Sequence, residues 1–146
     1  MNLWIPIHVG LSIVGECLLA FSLLLGVVYL IQERRLKNKI VLASTSFIPS
    51  LEMLDNTQYR LLKIGFVSLS LGVVLGTLWA FKIWGFQWVM SPKQMWMFAG
   101  WLIYGIILQA RRATGFRGRR AAWTSLIGFA LVLFSGWHGF FRGFFS

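Results

Sequence analysis

Four long apolar runs, each parted from the next by polar or basic residues, dominate what this chain can fold into. They are Ile5–Ile31, Ile64–Ile83, Met95–Leu108 with its flanking residues, and Ala121–Phe141. A helix that spans a bilayer core needs about 20 mostly apolar residues. Within that core the backbone must close its own hydrogen bonds, so each run is expected to be a helix. Hydrophobic residues make up 58% of the 146, and mean hydropathy is +0.72. The chain therefore reads as one all-α polytopic membrane domain, residues 1–146, with four transmembrane helices at about 5–31, 64–83, 95–110 and 121–141.

The net charge of +10 is distributed by loop. Arg34, Arg35, Lys37, Lys39, Arg60 and Lys63 lie between the first and second runs. Arg111, Arg112, Arg117, Arg119 and Arg120 lie between the third and fourth, while the alternate face carries Lys82, Lys93 and Arg142. The positive-inside rule then places the two basic loops in the cytoplasm or stroma and both termini outside. These cations read as orientation signals that touch anionic lipid, with no nucleic acid as partner. The first run lacks a basic segment before it, so it is expected to stay as a helix rather than be cleaved as a signal peptide. Cys17 is the single cysteine, which rules out an internal disulfide. C-x-x-C-H, C-x-x-C, H-E-x-x-H, G-x-G-x-x-G and P-loop patterns are all absent, and nothing points to an enzyme.

Between the first two runs, Ser50 is a candidate N-cap with Glu52 in the first turn that follows. Apolar residues at Leu51, Leu54, Leu61, Leu62 and Ile64 suggest a short cytoplasmic interfacial helix leading into the second span. Within that span Gly72 and Gly76 form a small-xxx-small pair, a spacing that lets helices approach closely, although membrane helices also tolerate glycine without such a purpose.

The outer side of the second and third helices is rich in tryptophan. Trp79, Trp84, Trp88, Trp96 and Trp101 surround one short loop. Interfacial tryptophan belts account for Trp4, Trp79, Trp101 and Trp137. Trp84, Trp88 and Trp96 flank a loop with Gly85 and Pro92, and their indole faces suit a flat aromatic ligand such as a porphyrin. His8 and His138 fall near the outer ends of the first and fourth helices, on the same membrane face as this loop. Neutral imidazoles are good haem-iron ligands, while a lone interfacial histidine more often bonds to headgroups or water. Glu16 lies about 12 Å along the helix from His8. A carboxyl at that depth is costly and faces protein or water, and a carrier with Glu16 as its coupling group is a third, weaker reading.

At this loop the sequence resembles the tryptophan-rich signature of the haem-handling membrane proteins of cytochrome c assembly, the superfamily of CcsA, CcmC, CcmF and HemX types. Trp84, Gly85, Trp88, Pro92, Lys93 and Trp96 match that signature, while Met90, Ser91 and Gln94 stand where the family has Trp, Asp and Glu. Gly76–Ala80 is similar to the family's segment before the signature and Trp101–Tyr104 to the one after it. Gly115-Phe116-Arg117-Gly118 precedes the next helix as in the family, and Ile7-His8-Val9 resembles its I-H-V helix start. Pro49-Ser50-Leu51-Glu52 also fits. The resemblance implies that His8 is an outward haem ligand and that His138 is the candidate second one. Gln109 occupies the position of the family's inner membrane histidine. Family members carry more membrane helices, and this chain matches their last ones.

The function expected is a haem-binding or haem-presenting membrane protein of cytochrome c maturation. Non-covalent b-type haem would lie between His8 and His138, lined by Trp84, Trp88 and Trp96, with Lys93 at a propionate. Membrane lipid, a second copy or another assembly membrane protein, and apocytochrome c are the partners implied. The location would be a bacterial cytoplasmic or plastid thylakoid membrane. The alternative is a haem-free structural subunit of a larger membrane complex, which the replaced signature residues and Gln109 favour.

Overall fold

The computed structural model describes residues 3–38, 49–115 and 117–144, with side chains as far as residue 134. All regular structure among them is helical. Helix α1 spans Trp4–Lys37, α2 Leu51–Trp84, α3 Phe86–Val89, α4 Pro92–Ala113 and α5 Arg119–Phe144. Lys39, Phe116 and the side chains of Trp137, His138 and Arg142 lie outside the described residues.

Helices α1 and α2 form an antiparallel hairpin along a seam of small residues. On α1 the seam runs through His8, Ser12, Gly15, Leu19, Ser22 and Gly26, at alternating steps of four and three. On α2 it runs through Gln58, Leu62, Gly65, Leu69, Gly72 and Gly76 in the same alternation. That is a 3.5-residue period, which keeps one face of each helix on its partner. The backbones come close because glycine faces bulk across the seam. A methyl group at Gly15 would sit 2.8 Å from the Leu69 amide nitrogen, and one at Gly72 2.6 Å from Ser12 Oγ. Hydroxyls stitch the same seam: Ser68 donates to the Leu11 carbonyl at 2.9 Å and Ser22 to the Gln58 carbonyl at 3.1 Å.

One expectation is corrected here. The separate interfacial helix before the second span does not exist, because α2 is a single helix of 34 residues. Ser50 does cap it, accepting from the Met53 amide at 3.2 Å. The basic pair Arg60 and Lys63, taken as the end of a surface helix, is exposed, and Lys63 lies over the Tyr59 ring at 4.8 Å. Meanwhile Leu54, Asp55, Gln58 and Leu62 are buried and carry the seam onward without a break. The helix continues unbroken, with the same face of α2 buried along that length.

Helices α4 and α5 make a second hairpin. Gly100 meets Val132, and Gly128 meets Ile103 and Tyr104. Tyr104, Ile107 and Val132 are buried there. The turn between them uses Gly115 at φ +63° and Gly118 at φ +66°, a region that favours glycine. The hairpins join through α1 against α5 and through a narrower contact of α2 with α4. In that contact Trp101 stacks on Phe66 with ring centres 5.6 Å apart and donates its indole N–H to Ser70 Oγ at 2.8 Å.

The basic end is locked by one carboxylate. Asp55 accepts from Arg111 at 2.5 Å and from the Gly118 amide at 3.2 Å, tying α2 to the end of α4 and the start of α5. Arg111 also lies 4.8 Å from the centre of the Tyr59 ring. The side chains are only 2% and 11% exposed. The long flanks of the bundle show the opposite character. Ile13, Val14, Phe21, Val67, Leu71, Val74 and Ile106 are all exposed, a continuous apolar surface whose natural solvent is lipid. Among the described residues, α1 and α2 are long and apolar enough to cross a membrane.

Two consequences are measurable by thermal unfolding in mild detergent. Gly15→Ala should lower the midpoint, since overpacking costs about 1–3 kcal/mol. Gly10→Ala, where nothing lies within 4 Å, should leave it unchanged or raise it. Asp55→Ala, which strands a buried guanidinium, should cost about 3–5 kcal/mol. Equal midpoints for the two glycine variants would contradict the close seam.

Candidate functional site

The seam delivers His8 to the indole-rich end of the bundle. Its Nδ1 lies 2.7 Å from the Gly72 carbonyl. A carbonyl only accepts, so Nδ1 carries the proton, and of the two neutral tautomers this bond selects the one with its lone pair on Nε2. A histidine held this way by a carbonyl has the tautomer and orientation of a metal ligand. Gly76 makes room for the ring: a methyl group there would sit 2.7 Å from Nδ1 and closer still to Cε1.

His8 opens onto a cavity of about 360 Å³, large enough for a small organic ligand. Ser12 and Glu16 follow His8 at four-residue steps and line the same space from α1. Val73, Gly76, Trp79 and Ala80 line it from α2, and Lys93, Gln94 and Met97 from the start of α4.

Three indoles form its outer wall. Trp79 and Trp84 meet edge to face with centroids 5.3 Å apart and planes at 89°. Trp84 and Trp88 stack at 5.6 Å and 26°. Gly85, at φ +71°, produces this geometry by ending α2 sharply and starting the single turn of α3. Trp84 and Trp88 are thereby stacked across a chain break instead of strung along one helix.

The residues expected at the site divide. His8, Trp84, Trp88 and Lys93 line the cavity together. Trp96 does not; it turns to α5 and meets Phe134 edge to face at 5.6 Å and 79°. Trp101 belongs to the α2–α4 contact. The side chain of His138 lies outside the described residues, and its backbone belongs to α5. Glu16, singled out for its depth in the membrane, is on the cavity wall. Among the described residues there is no group of three or more His, Cys, Asp or Glu side chains able to hold a metal ion.

Gln94 and Ser12 were not anticipated. Gln94 stood out only as a departure from a signature, yet it is 7% exposed and lines the cavity. The four-residue step from His8 to Ser12 to Glu16 was the one signal available for Ser12. On the other side of the α2–α4 contact, Gln109 lines an apolar groove of about 770 Å³ with Phe66 and Trp101.

Comparison with known proteins bears on this arrangement. The family described as "Cytochrome C assembly protein" matches residues 1–137. The chain is 34% identical over 114 residues to the cytochrome c biogenesis protein CcsA of Cyanophora paradoxa, covering 78% of this chain and 34% of that protein. It is 32% identical over 153 residues to CcsA of Prochlorococcus marinus, covering 89% of this chain and 48% of the relative. Against CcsA of Guillardia theta it is 30% identical over 144 residues, with 88% and 48% covered. The chain thus spans half or less of the length of these curated relatives. No solved structure matches it. A family match that runs through His8, the indole wall and Lys93 to the last helix leaves one assignment: the chain belongs to the cytochrome c assembly protein family.

Proposed function

We propose that this chain binds or presents haem at the outer face of a membrane during cytochrome c maturation. The observation that carries this reading is the His8 ring, held through Nδ1 by the Gly72 carbonyl beside an indole-walled cavity. The name of its CcsA relatives, cytochrome c biogenesis proteins, supports the process.

The residues present fit the group. A neutral imidazole with Nε2 free suits ferrous and ferric iron. Stacked indole faces suit a porphyrin plane and keep water from it. Haem, when bound, supplies a redox-active iron and the porphyrin destined for a cytochrome. His8 would bind the iron through Nε2, with Gly72 and Gly76 fixing the ring. Trp84 and Trp88 would line the macrocycle, and Lys93 would meet a propionate. His138 is the candidate for the second axial position.

Four spans with both termini outside accompany this proposal. Arg34, Arg35 and Lys37 end α1, and Arg111, Arg112, Arg119 and Arg120 flank the α4–α5 turn, so the cations gather at the end of the bundle opposite the indoles. That arrangement fits a cytoplasmic or stromal basic face in a bacterial or thylakoid membrane. A second copy, or another assembly membrane protein, would complete the burial of the porphyrin, and apocytochrome c would receive it.

The second reading is a haem-free structural subunit of a larger complex. Gln109 in the α2–α4 groove and Trp96 turned from the cavity favour it.

Absorption spectra of the purified protein, oxidised and then reduced with dithionite, separate the two. The first reading expects a near-stoichiometric Soret band with sharp α and β bands on reduction; no haem after reconstitution supports the second. His8→Ala should abolish the low-spin spectrum, and an unchanged spectrum would remove His8 from the site. Gly76→Ala should lower haem content severalfold by displacing the His8 ring, with helical content retained by circular dichroism.

A further inference from the structure

The groove between α2 and α4 plays no part in the porphyrin reading. It holds about 770 Å³ and runs from Trp101 to Ala113 on α4, a rise of about 18 Å. That is close to one leaflet, half of a hydrocarbon core of about 30 Å. Gly105 and Ala110 keep its floor low, and a methyl group added at Gly105 would come no nearer than 3.5 Å to Phe66. Val67, Leu102 and Ile106 form exposed apolar lips. The stacked Phe66 and Trp101 close one end. The opposite end is cationic. Lys63 lines it from α2 and Arg112 from α4, with Gln109 one turn before Arg112 on the same helix face. Among the described residues no carboxylate lines the groove. Arg111 is turned to Asp55 and neutralised by it, whereas the Lys63 ammonium rests over the Tyr59 ring. The neighbouring basic pocket differs, for it balances Arg117, Arg119 and Arg120 with Glu33, Glu52 and Asp55. An apolar channel one leaflet long, with two uncompensated cations at its mouth, has the charge pattern of an acyl chain joined to a phosphate. A helix about 10 Å across takes up roughly 1,400 Å³ over that length, so a partner helix would ride on the lips rather than enter.

We propose that this groove binds one anionic phospholipid, its acyl chain along Gly105 and Ala110 and its phosphate between Lys63 and Arg112. Lys63 belongs to one hairpin and Arg112 to the other, so the lipid ties the hairpins where the direct contact of α2 with α4 is narrow. The groove fixes the chain, and the cations select the headgroup. The site stands independently of what the indole-walled cavity holds.

The full chain in mild detergent is offered equimolar phosphatidylglycerol and phosphatidylcholine with the same acyl chains, and the retained lipid is weighed by native mass spectrometry. One phosphatidylglycerol per chain should be retained, with a preference of at least about tenfold, the scale of two cations at a lipid surface. Lys63→Gln combined with Arg112→Gln should abolish the preference; both side chains are exposed, so helical content by circular dichroism should not change. Arg34→Gln combined with Arg35→Gln, an equal loss of charge outside the groove, should keep the preference. Gly105→Leu should lower retention severalfold by filling the floor. Equal retention of the two lipids by the unaltered protein would overturn the proposal. So would an equal loss of preference in the two double variants, which would make the attraction a diffuse property of the basic face. A dimer lost on Gly105→Leu, with lipid retention unchanged, would give the groove to a second copy and overturn it too.

Discussion

Close approach of α1 and α2 is the constraint on which the remainder of this structure depends. Lipid offers no hydrophobic drive to bring two apolar helices together, so contact and hydrogen bonds must do so. Gly15 against Leu69 and Gly72 against Ser12 bring the backbones within reach. Only at that separation does the Gly72 carbonyl meet the His8 ring. A seam built from leucine on both sides would push His8 outward and leave its orientation free. The fixed orientation of the His8 ring is thus a by-product of packing that runs the length of the hairpin.

The aromatic residues show why composition alone misleads about a site. Five tryptophans cluster in sequence around one loop, but the helical phase sorts them. Gln94 and Trp96 are two residues apart, about 200° around α4, so with Gln94 on the cavity Trp96 must face elsewhere. Lys93 and Met97, four apart, share the cavity side. Trp84 and Trp88 would also be four apart on a continuous helix, but Gly85 breaks it and lets them stack.

The helices were legible because unbroken apolar runs admit few alternatives. Helices α4 and α5 overrun the expected spans by up to three residues at either end and α1 by six at its basic end, and the larger extension of α2 escaped notice for a local reason. Arg60 and Lys63 look like the end of an amphipathic surface helix, while the residues that continue the seam, Asp55 and Gln58, are polar and do not advertise burial. Their partners lie on α1, α4 and the α4–α5 turn, at sequence distances no local pattern encodes. The same holds for His8 and Gly72, which are 64 residues apart. What each residue type favours could be read off; the register between helices, which pairs them, could not.

The unbroken α2 also carries its ion pair far from the indole end. At 34 residues it is about 51 Å long, against a hydrocarbon core of about 30 Å. Tilt angles of membrane helices, up to about 40°, cannot absorb that excess. A bilayer with one boundary at Trp84 would be crossed by about Ile64, with Asp55 roughly a dozen ångströms further on. Asp55 and Arg111 are shielded by protein, and a bilayer placed this way would leave them at headgroup depth. A charge pair that would be prohibitive at mid-bilayer can then serve as the rivet of a stalk that need not enter the oil.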